Sequence, residues 1–193
     1  RIFEGEGVAP AAAPTVKVIN LSVGDLHRPF DAELSPWARL LDWLSYKYQV
    51  LFVVSAGNAA VELTLDTPRE SLSRLQPEQR HQLALAALLS DSVDRHLLTP
   101  SESINALTVG AVHTDASTIR NVPHRYDLFP DRGVSPYSRI GHGFRRAVKP
   151  DIVLPGGRIL YREDLQGQPE RTSVQVLHSS VAPGHRVAAP PNA

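Results

Sequence analysis

The sequence predicts an α/β fold built on a mainly parallel sheet, and three segments carry that expectation. Val16–Gly24 sets β-branched residues among a few polar ones and is stopped by Gly24, the pattern of a strand buried on most sides. Ser35-Pro36 supplies an N-cap with Pro at the first helical position. Behind it Trp37, Leu40, Leu41, Leu44 and Tyr48 fall on one helical stripe. Val50–Val54 is a continuous apolar run of strand length that ends in Ser55-Ala56-Gly57-Asn58. Strand, helix and strand within about 40 residues make a βαβ unit, which implies parallel strands and a right-handed crossover.

The remaining elements are weaker. Residues 1–15, rich in Ala, Pro and Gly, read as a flexible lead-in, and 16–193 as the folded part. An insertion at about 61–100 reads as a loop plus a surface helix that opens at Pro77-Glu78 and fades by about His96. Leu83 and Ala86–Leu89 form its apolar positions. Ala106–Val112 reads as a third strand, residues 116–146 as an irregular excursion, and Ile152–Leu154, Arg158–Tyr161 and Val174–Leu177 as further short strands.

Composition bounds what the chain can do. It has 193 residues, 42% hydrophobic and 21% charged, with 20 basic against 20 acidic side chains, which is enough apolar material for a real core. No cysteine is present, which excludes a disulfide framework, a thiol nucleophile and a Cys-based zinc site. Residues 1–117 carry 9 Lys/Arg against 14 Asp/Glu, and 118–193 carry 11 against 6. The arginines of the basic half are dispersed and lack interleaved aromatics, so nucleic acid is not expected as a partner. Nor is a membrane, since no stretch approaches the ~18–20 apolar residues of a span. Localisation is left open, because no signal segment is present and residue 1 is Arg, which points to a processed or excised chain.

In an open α/β sheet, ligands collect outside the carboxyl ends of the strands. That rule selects Ser22-Val23-Gly24-Asp25 and Ser55-Ala56-Gly57-Asn58, two exits rich in small residues where backbone can approach a ligand closely. Asn58 has two readings. Its carboxamide can aim N–H donors into a cleft, or it is a left-handed turn residue or N-cap for a helix starting near Ala59-Ala60. Ser22, Asp25 and His27 hold the residue types of a hydrolase triad, but near neighbours on one strand exit rarely reach triad geometry. Asp25, His27 and Asp31 match no metal-ligand spacing, and the absence of GxGxxG and GxxxxGK[ST] leaves a Rossmann-like nucleotide binder without a phosphate loop.

Four blocks, VKVINLSVGD, VLFVVSAGN, ALTVGAVHTD and YSRIGHGFRRAVKPDIVLPGG, resemble in this order successive segments of the subtilisin-like serine peptidases, the subtilases or peptidase S8 family. Val23 replaces the Leu of the family's Ser-Leu-Gly, and Tyr137 and Leu154 are mild departures. The resemblance implies a three-layer, doubly wound, mainly parallel α/β sheet, incomplete here, and a polypeptide substrate. It further implies that Asn58 is the oxyanion-hole donor, and that Ser22, Val23, Gly24, Ala56 and Gly57 form two backbone walls of the substrate pocket. The peptide is then expected to lie as an extended strand along the first wall. No cofactor is implied; calcium occurs in the family, but no Asp/Asn cluster here matches such a site.

The family's order is Asp, His, oxyanion Asn and then a nucleophilic Ser in Gly-Thr-Ser. No Asp or His precedes Ser22 on the N-terminal side, and no Gly-Thr-Ser occurs; Thr172-Ser173 follows Arg171. The chain therefore reads as the central part of a peptidase domain, with no peptidase activity expected from it alone. The alternative is a subtilase-derived binding or scaffold module that never had a triad.

Overall fold

The computed structural model describes residues 1–59, 63, 65, 72–114, 125–162 and 172–176. Its elements in chain order are β1 (Val18–Leu21), α1 (Pro36–Tyr48), β2 (Leu51–Ser55), α2 (Pro77–Ser90), β3 (Leu107–His113), β4 (Arg125–Asp127), β5 (Gly133–Val134), β6 (Gly141–His142), β7 (Val148–Lys149), β8 (Ile152–Pro155), β9 (Arg158–Arg162) and β10 (Thr172–Val176). The chain forms two compact units. The first takes Arg1–Gly57, His96–Gly110 and Arg139–Ile152, and the second takes Asn58–Arg95, Ala111–Ser138 and Val153–Ala193.

The first unit holds the predicted βαβ. β1 and β2 run parallel with Val18 opposite Leu51 and Leu21 opposite Val54, and β2 runs parallel to β3 with Val53 opposite Leu107. α1 starts where the sequence places it: Ser35 is the N-cap, its side chain accepts from Ala38 N at 3.0 Å, and Pro36 stands at the first turn. The helix buries Leu41, with Trp37, Leu44 and Tyr48 packed partly around it, against Val50, Phe52, Val54 and Ala106. Leu40, predicted on the stripe, is 49% exposed. The buried face turns instead through Ala38, Leu41 and Ser45, so two small residues flank the one leucine that is fully inside. Residues 1–15 carry backbone hydrogen bonds from Ala12 N to Arg1 O and from Ala13 N to Ile2 O, and Phe3 stacks on Tyr48 at 4.5 Å between ring centroids.

The second unit has its own core of Leu72, Ala84, Leu88, Leu128, Phe129, Ile159 and Tyr161. The helix expected on the surface, α2, thus contributes Ala84 and Leu88 to an interior, while Leu89 is 72% exposed. The end of β3 pairs antiparallel with β5, Val112 opposite Val134, and β9 is flanked antiparallel by β4 and β10. The run β1, β2 and β3 is parallel, as predicted for a mainly parallel sheet. Among the described residues, no helix is long and apolar enough to cross a membrane.

Candidate active site

Both strand exits singled out from the sequence leave the carboxyl ends of adjacent parallel strands, β1 and β2. At the first, Ser22 and Val23 are exposed and Gly24 is half-buried. At the second, Ala56 is buried, and Ser55 caps the turn by accepting from Gly57 N at 3.1 Å. Gly57 has φ +97, a backbone conformation that side chains other than glycine rarely adopt. The chain therefore turns on the glycine, and Asn58 itself is not left-handed. Asn58 is exposed and forms an antiparallel bridge with Ser138, and the next residue donates from Ala59 N to Tyr137 O at 2.7 Å. The helix N-cap reading of Asn58 turns on residues 60–62, which lie outside the described set.

Within the first unit the two exits converge on one side chain that the sequence reading missed. A Cβ at Gly24 would sit 3.1 Å from Leu98 Cβ, and one at Gly57 would sit 2.8 Å from Leu98 Cγ and Cδ1. The backbone around Leu98 is tied to both exits. Leu98 N donates to Ala56 O at 3.2 Å, and Asp25 N donates to Thr99 O at 2.9 Å. Thr99 N donates to Arg28 O and Phe30 N to Leu97 O, so the segment is bonded along its length. Leu97 and Leu98 are 0% and 2% exposed. The available signal is the apolar pair Leu97-Leu98 immediately before Thr99-Pro100, at the end of the insertion at about 61–100.

One buried and one half-buried carboxylate hold the following loop. Glu102, 1% exposed, accepts from Ser35 N at 3.1 Å and Thr99 Oγ1 at 3.3 Å. Asp42 Oδ1 accepts from Ser103 Oγ at 2.6 Å and Asn105 N at 2.7 Å. The acidic and hydroxyl groups nearest the first exit are engaged locally. Ser22 Oγ donates to Asn20 Oδ1 at 3.2 Å, and Asp25 Oδ1 accepts from His27 N at 2.9 Å. These are turn-stabilising bonds rather than a Ser–His–Asp relay. Among the described residues no group of three His, Asp or Glu side chains is arranged to hold a metal ion.

Residues 3–187 match the subtilase family of peptidases, which is nearly the whole chain. The chain belongs to the subtilase family. An uncharacterized protein of Sinorhizobium fredii (strain NBRC 101917 / NGR234), y4bN, is 30% identical over 169 residues, covering 83% of this chain and 36% of that protein. This chain thus spans about a third of the length of that curated relative. Membership of the subtilases agrees with the mainly parallel α/β sheet.

Proposed function

We propose that the chain is the central part of a subtilisin-like serine endopeptidase domain, in which Asn58 donates its side-chain N–H to the oxyanion. Ser22-Val23-Gly24 and Ala56-Gly57 are then the backbone walls that receive the peptide. The observation that carries this reading is the exit of β2. Ser55-Ala56-Gly57-Asn58 leaves a parallel strand of a subtilase domain, and the positive φ of Gly57 turns the backbone just before Asn58. The exposed Asn58 is backed by its bridge to Ser138, which supports a fixed donor in a site where charge appears only in the transition state.

The parent protein would carry out acyl transfer. A serine Oγ attacks the scissile carbonyl while a histidine takes its proton, and the C–N bond then breaks with that proton delivered to the leaving amine. Water releases the acyl group by the reverse relay. This sequence contains no Gly-Thr-Ser, so the triad is assigned to the parent. In the parent, Asn58→Ala is expected to lower kcat by about 10²–10³ with KM changed only a few-fold. That magnitude is the one known for this donor in a subtilisin and is carried over to Asn58. Steady-state kinetics on a peptide anilide test it, and an unchanged kcat removes Asn58 from the oxyanion role. Inhibitor-sensitive turnover of casein by the 193-residue chain alone would overturn its description as a part lacking the triad.

A further inference from the structure

We infer that Leu98 fills the space between the two walls and restricts the residue on the N-terminal side of the scissile bond to small side chains such as Gly, Ala or Ser. This inference rests on the peptidase reading and adds its substrate class. A peptide lying along Ser22-Val23-Gly24 must send that side chain between the two strand exits. There the faces of Gly24 and Gly57 are not open. Leu98 carbons lie 3.1 Å from a Cβ position on Gly24 and 2.8 Å from one on Gly57, so a methyl group on either glycine would already press on the leucine.

Leu98 is not a loose plug. Its backbone N–H is bonded to Ala56 O, and its neighbours Leu97 and Thr99 are bonded to Phe30, Arg28 and Asp25. Phe30, Ala56 and Leu97 pack together in one small core with Phe144 against it. The side chain is 2% exposed, against 49% for Val23 on the neighbouring wall. An aromatic ring entering this space would have to displace a buried leucine from a bonded segment, a far larger intrusion than that of a methyl group or a hydrogen atom. Close-packed interiors resist such overpacking, and apolar pockets discriminate by about tenfold or more for each misfitting methylene-sized group.

The test uses the full-length parent and two peptide anilides that differ only in Ala or Phe before the scissile bond. The expected result is a kcat/KM for Ala at least about tenfold above that for Phe. Leu98→Gly should raise the Phe:Ala ratio by about tenfold or more, with the milder Leu98→Val in between. The ratio is taken on one enzyme preparation, so partial unfolding of a variant cancels. A wild-type preference for Phe, or a ratio unmoved by both substitutions, overturns the inference while leaving the peptidase reading intact. If neither anilide is cleaved, the peptidase reading fails separately. The pocket is then judged by titrating in the acetylated tetrapeptides ending in Ala or Phe. Tighter binding of the Ala peptide that Leu98→Gly reverses supports the role of Leu98, and equal affinities overturn it.

Discussion

The segment that closes on the strand exits in the first unit and the interior of the second are both fixed by buried or half-buried polar groups, but by opposite devices. Around residues 96–105, carboxylates face neutral donors: Glu102 accepts from Ser35 N and Thr99 Oγ1, and Asp42 from Ser103 Oγ and Asn105 N. In the second unit, Asp127 stands between two cation-forming side chains. His113 Nε2 lies 2.6 Å from its Oδ1, and Arg158 donates to its Oδ2 at 2.9 Å. Arg158 also reaches Asp131 at 2.6 Å, which in turn accepts from Thr114 Oγ1. A carboxylate that faces dipoles can be replaced by an amide with little loss, because the amide oxygen still accepts. A carboxylate that balances a buried charge cannot, because its removal leaves that charge uncompensated.

The largest expected effect follows directly. Asp127→Asn keeps the shape but takes from the fully buried His113 its carboxylate partner and from Arg158, 11% exposed, one of its two, Asp131 remaining. It should cost about 3 kcal/mol of stability, at the lower end for a broken buried pair because Asp127 retains 17% exposure. Urea unfolding followed by circular dichroism measures it, and a change below 1 kcal/mol would mean that the network is ornamental.

Acid sharpens the same contrast. Burial pushes the Asp127 carboxyl up, but the hydrogen bond and charge of His113, joined by those of Arg158, outweigh it and hold the group below the ordinary aspartate value of 3.8. Because the folded value is the lower one, the stabilisation from Asp127 is complete above about pH 3.8 and disappears as pH falls through the folded value. The difference in urea midpoint between the wild type and Asp127→Asn should therefore be at its full width above pH 3.8 and narrow below it. A gap that stays constant or widens in acid contradicts this sign. Trp37 and Trp43, the two tryptophans of the chain, both lie on α1 in the first unit, so their fluorescence reports that unit separately.

What the sequence made legible divides along the same line. The βαβ core of the first unit was readable because its signals are local: the Ser35-Pro36 cap, a stripe with helical spacing and an unbroken apolar strand each announce themselves within a few residues. The two strand exits followed from a rule about where loops leave a parallel sheet. Leu98 was not readable, because its importance comes from meeting Gly24 and Gly57, residues 74 and 41 positions away by their numbering. Leu40 and Leu89 were misassigned because periodicity gives a stripe its direction but not its width, and small residues took the buried edge on both helices. The His113–Asp127–Arg158 network joins three segments through side chains with no shared spacing, so nothing local marks it.

In the first unit, the corresponding substitution should be mild. Glu102→Gln retains an oxygen for Ser35 N and Thr99 Oγ1 and removes a charge whose second oxygen, Oε2, is buried with no hydrogen-bond partner among the described residues. The expected change is within about 1 kcal/mol of wild type. Glu102→Ala, which strips both donors of their acceptor, should cost about 2 kcal/mol. Tryptophan fluorescence during urea unfolding reads both, and a Gln variant as damaged as the Ala variant would show that the charge itself holds the loop.

The smallest effect separates packing from charge on one strap. Phe3 stacks on Tyr48 at 4.5 Å, and the neighbouring Glu4 pairs with Lys47 at 2.8 Å while 56% exposed. The hydrogen bond from Lys47 lowers the Glu4 carboxyl below its ordinary value, yet the pair lies in solvent, where salt and side-chain entropy dissipate the attraction. Phe3→Ala should lower stability by about 1 kcal/mol, since an aromatic pair adds to the apolar area it buries. Glu4→Gln should leave the urea midpoint unchanged in 0.15 M salt. If instead Glu4→Gln loosens the strap as much as Phe3→Ala does, then charge rather than the ring holds residues 1–15 to α1.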